Sequence, residues 1–187
     1  MRRLPVYLVL DTSGSMMGDP IAAVEEGVQK MLVALRQDPY ALETAYLSVI
    51  TFNTDAEQII PLTELTMFQA PSLTATGTTS LGAALRVLSK RINEEIVTTT
   101  AEVKGDWKPM VFIMTDGRAT DDWRSGLAEY RKAKVGVTVA CAVGSGASTD
   151  DLKEITEVVV DMATADANSI AAFFKWVSAS VSTGSQK

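Results

Sequence analysis

The sequence of 187 residues has no histidine and a single cysteine. The missing histidine excludes Ser-His-Asp and Cys-His nucleophilic sites, histidine general bases and imidazole-bound zinc within this chain. The single cysteine excludes an internal disulfide and any zinc or iron-sulfur site that needs several thiolates. The chemistry that remains available uses oxygen ligands, backbone amides, lysine, arginine and tyrosine.

Positive charge and long apolar runs are also scarce. The chain has 17 Lys and Arg against 23 Asp and Glu, a formal net charge of -6, and its longest basic cluster consists of Arg131, Lys132 and Lys134. Because phosphate backbones require a concentrated basic surface, we expect no nucleic-acid partner. No run approaches the roughly 20 apolar residues that cross a bilayer, so we expect no membrane span and, with one unpaired cysteine, a cytoplasmic location.

Apolar runs alternate with helical stripes along the whole chain. Continuous apolar runs predict strands at residues 5–10, 45–52, 57–62, 110–114, 135–143 and 158–160. Apolar residues spaced by three and four predict helices near residues 21–35, 81–92, 122–133, 149 onward and 170–181. We therefore expect an α/β fold with a Rossmann-like, doubly wound, mainly parallel six-stranded sheet that has one antiparallel edge strand and helices on both faces.

Connections and chain ends complete this prediction. The second and third predicted strands are joined by the turn-forming residues 53–55, so they form a hairpin that makes one edge strand antiparallel. The length fits one domain, residues 1–182, followed by a polar tail at residues 183–187. Residues 68–79 are the only long stretch without a periodic pattern, and long loops in compact domains are often functional.

Hydroxyl and carboxylate side chains cluster in three segments, at residues 11–15, 76–80 and 115–117. The first and third segments directly follow predicted strands, and the second directly precedes a predicted helix. Because the carboxyl ends of parallel strands share one edge of a doubly wound sheet, where ligands bind, we expect the three segments to meet. Two carboxylates and several hydroxyls, without nitrogen or sulfur, suit a hard cation such as Mg²⁺ or Mn²⁺.

The strings LVLDTSGSM, GTTSLGAAL and FIMTDG, in this order, resemble the metal-ion-dependent adhesion site (MIDAS) of von Willebrand factor type A (VWA) domains. The resemblance covers nearly the whole chain and implies five metal ligands: Asp11, Ser13, Ser15, Thr79 and Asp116. The middle segment has one ambiguity, because Gly-Thr-Thr stands where the family commonly has Gly-Gly-Thr. Alignment of the following Ala-Leu selects Thr79, and Thr78 is the neighbouring alternative.

The resemblance implies a binding module rather than an enzyme. A bound Mg²⁺, with Mn²⁺ or Ca²⁺ as alternatives, would keep a coordination position for an Asp or Glu of a protein partner. The strings LPVYLVLDTSGSMMGDPI, LRQDPYALETAYLSVITF and TATGTTSLGAAL are more narrowly similar to bacterial TerY-type proteins of tellurite-resistance and stress-response clusters. That similarity implies kinase-like, phosphatase-like or other Ter proteins as partners.

Two alternatives to this binding module remain. A magnesium-dependent phosphotransferase of the haloacid-dehalogenase type also begins with an aspartate after an apolar strand, but it has a second Asp where this chain has Ser13. That class also needs a late lysine, for which Lys153 is the candidate. A metal-free adaptor would use Ser15, Ser80 and Asp19 only as helix caps. The joint occurrence of all five ligand positions favours metal binding.

Residues beside the three segments are expected to form the rim that a partner contacts. The four candidates are Met16, Thr78, Arg118 and Trp123. For Arg118 and Trp123, a solvated or packing role is the favoured alternative to a partner contact. Asp121 and Asp122 are expected to cap the helix that follows them, because negative charge at a helix start favours the helix dipole.

Overall fold

The structure is a computed structural model that describes residues 2–162 and 164–186. Its strands are β1 (Leu4–Asp11), β2 (Ala45–Phe52), β3 (Ala56–Glu64), β4 (Met110–Thr115), β5 (Val137–Val143) and β6 (Val158–Met162). Its α-helices are α1 (Asp19–Arg36), α2 (Pro39–Thr44), α3 (Leu81–Glu95), α4 (Trp123–Tyr130), α5 (Thr149–Ile155) and α6 (Ala167–Ser185). A 3-10 turn at Gly14–Met16 follows β1.

The strands form one six-stranded sheet in the order β3-β2-β1-β4-β5-β6. Neighbouring strands pair in parallel except β3, which runs antiparallel to β2 after the turn at residues 53–55. The predicted mainly parallel sheet with one antiparallel edge strand is therefore confirmed. Strand order reverses between β1 and β4, so the ligand-binding crevice of a doubly wound fold lies at the carboxyl ends of these two strands.

Alternate side chains of the central strand β1 enter two separate cores. Leu8 and Leu10 pack with residues of α1, α2 and α6, whereas Tyr7 and Val9 pack with residues of α3, α4 and α5. All four are at most 1% exposed. Because both faces of the strand are covered by helices, as predicted, β1 is a continuous apolar run rather than an alternating one.

The short helix α2 is not predicted by the sequence pattern. It begins after Asp38, whose carboxylate accepts hydrogen bonds from the amides of Tyr40 and Ala41, and Pro39 occupies its first turn. An Asp-Pro pair is a helix-start signal. Six residues are nevertheless too few to show an apolar stripe, so periodicity alone does not identify this helix.

The loop at residues 96–109 is a second long irregular segment, so the prediction that residues 68–79 are the only one is wrong. The loop returns on itself, since the amide of Asp106 donates to the carbonyl of Val97 at 2.8 Å. Gly105 permits this close return, because a Cβ there would overlap the carbonyl oxygen of Val97. These main-chain contacts produce no hydrophobic period, which is why the sequence pattern does not reveal the loop.

The last helix is longer than the sequence pattern indicates. Val181 and Ser185 are both buried, one turn apart, so the inward face of α6 continues beyond the last apolar residue. Residues 183–185 of the predicted polar tail therefore belong to the helix, and Lys187 lies outside the described residues. Within the described part of the chain, α6 and every other helix are too short or too polar to cross a bilayer.

An ion pair holds the loop at residues 96–109 to the start of β1. Arg3 donates from Nε to Asp106 Oδ1 at 2.8 Å and from Nη2 to Asp106 Oδ2 at 2.6 Å, and the amide of Val97 donates to the same Oδ2 at 2.8 Å. Burial alone raises the pKa of the Asp106 carboxyl. The hydrogen bonds from Arg3 and Val97 outweigh burial, so the pKa lies below its ordinary value.

We expect Asp106→Asn to lower the free energy of unfolding at pH 7 by about 2 kcal/mol, because it removes hydrogen bonds to a charged group. Since the folded-state pKa lies below the unfolded value, this contribution is present above about pH 4 and is lost as the pH falls further. Urea unfolding at pH 7 and pH 3 measures the difference. Glu102→Gln, on the exposed part of the same loop, is the control. Equal destabilisation at both pH values would contradict the prediction.

Candidate functional site

Asp11, the last residue of β1, is held by hydrogen bonds at both carboxylate oxygens. Its Oδ1 accepts from the amide of Ser13 at 2.7 Å, and its Oδ2 accepts from the hydroxyl of Thr115 at 2.7 Å. Thr115 is the last residue of β4, which lies beside β1 in the sheet. The carboxylate therefore joins the two strands at the crevice where strand order reverses, and it is only 1% exposed.

Ser13, Ser15 and Asp116 continue this cluster towards the surface. The hydroxyl oxygens of Ser13 and Ser15 are 3.1 Å apart, and Ser15 Oγ donates to Asp116 Oδ1 at 2.8 Å. The amide of Asp116 lies 3.4 Å from Asp11 Oδ2. Ser13 is buried, Asp116 is half-buried and Ser15 is exposed. Four of the predicted ligands thus form one connected group that opens to solvent.

The fifth predicted ligand, Thr79, is buried beside the turn that carries Asp116. Its Oγ1 lies 3.5 Å from the point that a Cβ on Gly117 would occupy. Its backbone pairs with Thr120: the Thr79 amide donates to Thr120 Oγ1 at 3.1 Å, and the Thr120 amide donates to the Thr79 carbonyl at 2.8 Å. This reciprocal pair fixes Thr79 beside the segment that follows Asp116.

Thr78, the alternative to Thr79, points to a different neighbour. It is exposed, and its amide and hydroxyl approach the hydroxyl oxygen of Thr54 at 3.2 Å and 3.4 Å. Thr54 belongs to the turn between β2 and β3. Thr78 therefore lies against the turn between β2 and β3, whereas Thr79 lies beside the turn that carries Asp116.

Main-chain hydrogen bonds hold the first and second segments together. The amide of Gly14 donates to the carbonyl of Gly77 at 2.9 Å, and the amide of Thr76 donates to the carbonyl of Thr12 at 2.8 Å. Gly77 has φ +75°, and a Cβ there would overlap the hydroxyl of Thr54. Glycine is required at this position both for the backbone conformation and for the close approach.

The donor set fits a hard divalent cation, because it consists of two carboxylates and three hydroxyls. Burial, together with the adjacent charge of Asp11, raises the pKa of Asp116, whereas the hydrogen bond from Ser15 opposes the rise. A cation between the two carboxylates would offset their repulsion. Across residues 2–162 and 164–186, no group of three or more Asp, Glu, His or Cys could hold a metal. Hydroxyls and water would therefore supply the remaining ligands of a cation bound here.

Two of the predicted rim residues are buried, and their assignment to the rim is wrong. Met16 is 0% exposed because the 3-10 turn directs it into the core beneath α1, and Trp123 is 6% exposed because it packs with α3. Thr78 and Arg118 are exposed, as a rim role requires. Met17, which is 68% exposed, presents the apolar side chain that we expected from Met16.

Sequence reasoning missed the supporting role of Asp121. Its Oδ1 and Oδ2 accept hydrogen bonds from the amides of Gly82 and Ala83 at 3.0 Å and 2.9 Å, so it caps α3. The expected cap of α4 is supplied by Asp122, which accepts from the amide of Ser125. Two adjacent aspartates before a helix give no signal that one of them caps a different helix.

Comparisons with known proteins match this fold. The von Willebrand factor type A domain profile matches residues 6–175. The pilus adhesin SpaC from Lactobacillus rhamnosus GG, in its open conformation, superposes with a TM-score of 0.77 at 17% identity, over 98% of this chain and 30% of the adhesin chain. A von Willebrand factor type A protein from Catenulispora acidiphila gives a TM-score of 0.69 at 16% identity, over 97% of this chain and 43% of that protein.

A third structure, proximal thread matrix protein 1 from the mussel byssus with a zinc-occupied MIDAS motif, gives a TM-score of 0.67 at 16% identity, over 94% of this chain and 47% of that chain. This chain thus spans half or less of each of these three structures.

Curated protein sequences gave no significant match. The profile match covers most of the 187 residues. The chain therefore belongs to the von Willebrand factor type A domain family.

Proposed function

We propose that the chain is a divalent-metal-dependent protein-binding domain without enzymatic turnover. Its ligand set is Asp11, Ser13, Ser15, Thr79 and Asp116. The metal, Mg²⁺ or alternatively Mn²⁺ or Ca²⁺, accepts an Asp or Glu carboxylate of the partner at the solvent-facing side of the site. Three neutral hydroxyls leave the dication balanced by only two protein carboxylates, so it remains attractive to a third.

One observation carries this proposal. The Ser15 hydroxyl, at the exposed end of the first segment, donates to Asp116 of the third segment at 2.8 Å. Oxygens of residues far apart in sequence thus lie side by side at the crevice between β1 and β4, which supports a shared metal site at this point. The half-buried Asp116 and the exposed Ser15 leave that point accessible to a large partner. Exposed Met17, Thr78 and Arg118 provide the surrounding contact surface.

The surroundings of Asp11 support binding rather than phosphoryl transfer. A phosphotransferase of the haloacid-dehalogenase type would need Asp11 as a nucleophile, but both of its oxygens accept hydrogen bonds and it is 1% exposed. Ser13 stands where that class places a second Asp. Incubation with a chromogenic phosphomonoester and Mg²⁺ tests the point. Turnover that disappears in Asp11→Asn would overturn the proposal of a non-enzymatic domain.

The partner class is the most specific part of the proposal. Similarity of the sequence to TerY-type proteins supports a role as a scaffold in a bacterial tellurite-resistance or stress-response system. Kinase-like, phosphatase-like and other Ter proteins are the partners to test by co-purification, in Mg²⁺ and in EDTA. We expect recovery only with metal. Equal recovery in EDTA would instead favour the metal-free adaptor.

Calorimetric titration with Mg²⁺, Mn²⁺ and Ca²⁺ tests the metal site itself. Substitution of the adjacent residues Thr78 and Thr79, one at a time, tests which of them contributes to metal binding. We expect Thr79→Val to weaken metal binding about tenfold, because it removes one ligand or water-positioning hydroxyl from the site while preserving side-chain shape. Thr78→Val, the matched change in the exposed neighbour, should leave the affinity unchanged. A larger loss of affinity in Thr78→Val would show that Thr78 is the ligand and that our assignment of Thr79 is wrong.

A further inference from the structure

A cavity of about 630 Å³ lies at the end of the sheet opposite the candidate metal site. Leu4, Met110 and Val137, the first residues of β1, β4 and β5, contribute to its floor. Because β1 has eight residues between Leu4 and Asp11, the cavity is about 23 Å from the crevice at the other end of the strand. A ligand in the cavity would therefore not contact the metal ligands.

The surface that lines this cavity is mostly apolar and partly open to solvent. The folded loop at residues 96–109 supplies Ile96, Val97 and Trp107. Val97 is 50% exposed, Val137 is 44% exposed and Trp107 is 36% exposed. The largest contiguous apolar patch on a soluble protein is often a binding site. The size of the cavity is within the range of about 300–1,000 Å³ that is typical of small-molecule sites.

Three cationic side chains line the same cavity: Arg2, Lys108 and Lys134. Arg2 is held in place, because its guanidinium lies 3.7 Å from the centre of the Trp107 ring and its Nε donates to the carbonyl of Gly105 at 2.9 Å. In residues 2–162 and 164–186, neither Lys108 nor Lys134 forms an ion pair. These three cations lie around one cavity although the chain has a net charge of -6.

The acidic residue on the wall does not cancel these charges. Asp106 is the one carboxylate among the described lining residues, and Arg3 donates to both of its oxygens. Its charge is thus already balanced by a cation outside the cavity. The open ammonium groups of Lys108 and Lys134 are left to attract an anion from solvent.

We propose that this cavity binds a small aliphatic anion, with the hydrocarbon chain against Leu4, Val97 and Met110 and the anionic head group between Lys108 and Lys134. Apolar walls with a few charged groups at the mouth are what such a ligand requires. The site is independent of the proposed metal-dependent function, because its residues lie at the other end of the sheet.

Decanoate, used below its micellar concentration, is the probe for isothermal titration of the full chain. EDTA is present throughout, so that a metal ion at the other site cannot bind the carboxylate. Decanol and decyltrimethylammonium have the same chain length with a neutral and a cationic head group. We expect saturable binding of one decanoate per chain and at least tenfold weaker binding of the two analogues, which corresponds to about 1.4 kcal/mol.

Paired variants assign the binding to this cavity. Lys108→Glu combined with Lys134→Glu should weaken decanoate binding at least tenfold, whereas Lys104→Glu combined with Lys132→Glu, exposed residues outside the cavity, is the control with the same net charge. Val97→Asp should also weaken binding, and Val103→Asp, on the same loop but outside the cavity, should not.

Three results would overturn the proposal: no decanoate binding, equal binding of decanol, or equal losses in the lining and control variants. Thermal unfolding of each variant in EDTA verifies that it is folded. The test is separable from the metal site, because Asp11→Asn should bind decanoate as the native chain does. Failure of the chain to bind metal would therefore not contradict the proposal that the cavity binds an aliphatic anion.

Discussion

Replacing Asp11 with asparagine is expected to abolish Mg²⁺ binding. The substitution keeps the size of the side chain but removes one of the two carboxylates that would balance the dication. In the native chain, Mg²⁺ at about 100 times its dissociation constant should stabilise the fold by about 2.7 kcal/mol. For a domain of this size, that corresponds to a rise of roughly 5–10 °C in the unfolding midpoint. The variant should show no metal-dependent rise.

Differential scanning calorimetry in MgCl₂ and in EDTA measures this difference, and KCl of equal ionic strength controls for screening. Asp150→Asn is the matched control, because Asp150 is an exposed aspartate in the first turn of α5. It should retain the full metal-dependent rise. If Asp11→Asn showed the full metal-dependent rise in the unfolding midpoint, Asp11 would not be a metal ligand. The native chain is also scanned in MnCl₂ and in CaCl₂, and a midpoint that responds to none of the three metals would refute the metal site.

Gly126→Ala is expected to destabilise the protein by about 1–3 kcal/mol, although alanine usually stabilises a helix relative to glycine by roughly 1 kcal/mol. The reason is the contact between α3 and α4. A Cβ on Gly126 would overlap the carbonyl oxygen of Gly82, and a Cβ on Gly82 would lie 2.7 Å from the Cα of Trp123. Backbone atoms cannot rotate away as a side chain can, so the two helices must separate.

This separation should also weaken the metal site. Asp121, directly before α4, accepts hydrogen bonds from the amides of Gly82 and Ala83 at the start of α3. Thr79 precedes that start and pairs with Thr120. We therefore expect Gly126→Ala to lower the unfolding midpoint by roughly 3–10 °C and to lower Mg²⁺ affinity as well.

Gly184→Ala, in α6, is the control for the helical glycine. A Cβ there would meet only flexible side-chain atoms, Met110 Sδ at 3.2 Å and Leu4 Cδ2 at 3.4 Å. We expect its unfolding midpoint to stay within about 2 °C of the native value. Thermal unfolding in EDTA compares the two variants without a metal contribution. An unchanged or higher midpoint for Gly126→Ala would show that α3 and α4 can separate without cost.

Much of the fold could be predicted from the sequence because its signals are local. A strand covered on both faces, such as β1, must be a continuous apolar run, and an amphipathic helix such as α1 must repeat its apolar residues every three or four positions. Helix α2 has no such repeat within six residues. The loop at residues 96–109 is held by main-chain bonds and by the Arg3–Asp106 pair, which leave no periodic pattern.

Some features of the candidate site could also be predicted from the sequence, and others could not. The proximity of Asp11 and Asp116 could be predicted, because they belong to the ends of strands that the α/β pattern places in parallel, and parallel strands end at one edge of the sheet. The burial of Met16 could not be predicted, because adjacent residues in a tight turn differ in which side faces the core. For Trp123 the sequence already offers a packing role, and the fold buries it against α3. The role of Asp121 depends on the contact between α3 and α4, which no local pattern specifies.

The sequence by itself determined the chemistry available to this protein. Without histidine and with one cysteine, its candidate site consists of Asp, Ser and Thr oxygens, and the order of apolar runs places the carboxylates at strand ends. Only the tertiary structure decided that Met16 is buried beside the three segments, and that Lys108 and Lys134 share an apolar cavity at the far end of the sheet. The physical reason is that such neighbours are chosen by the packing of distant segments, whereas strand and helix patterns depend on neighbours within a few residues.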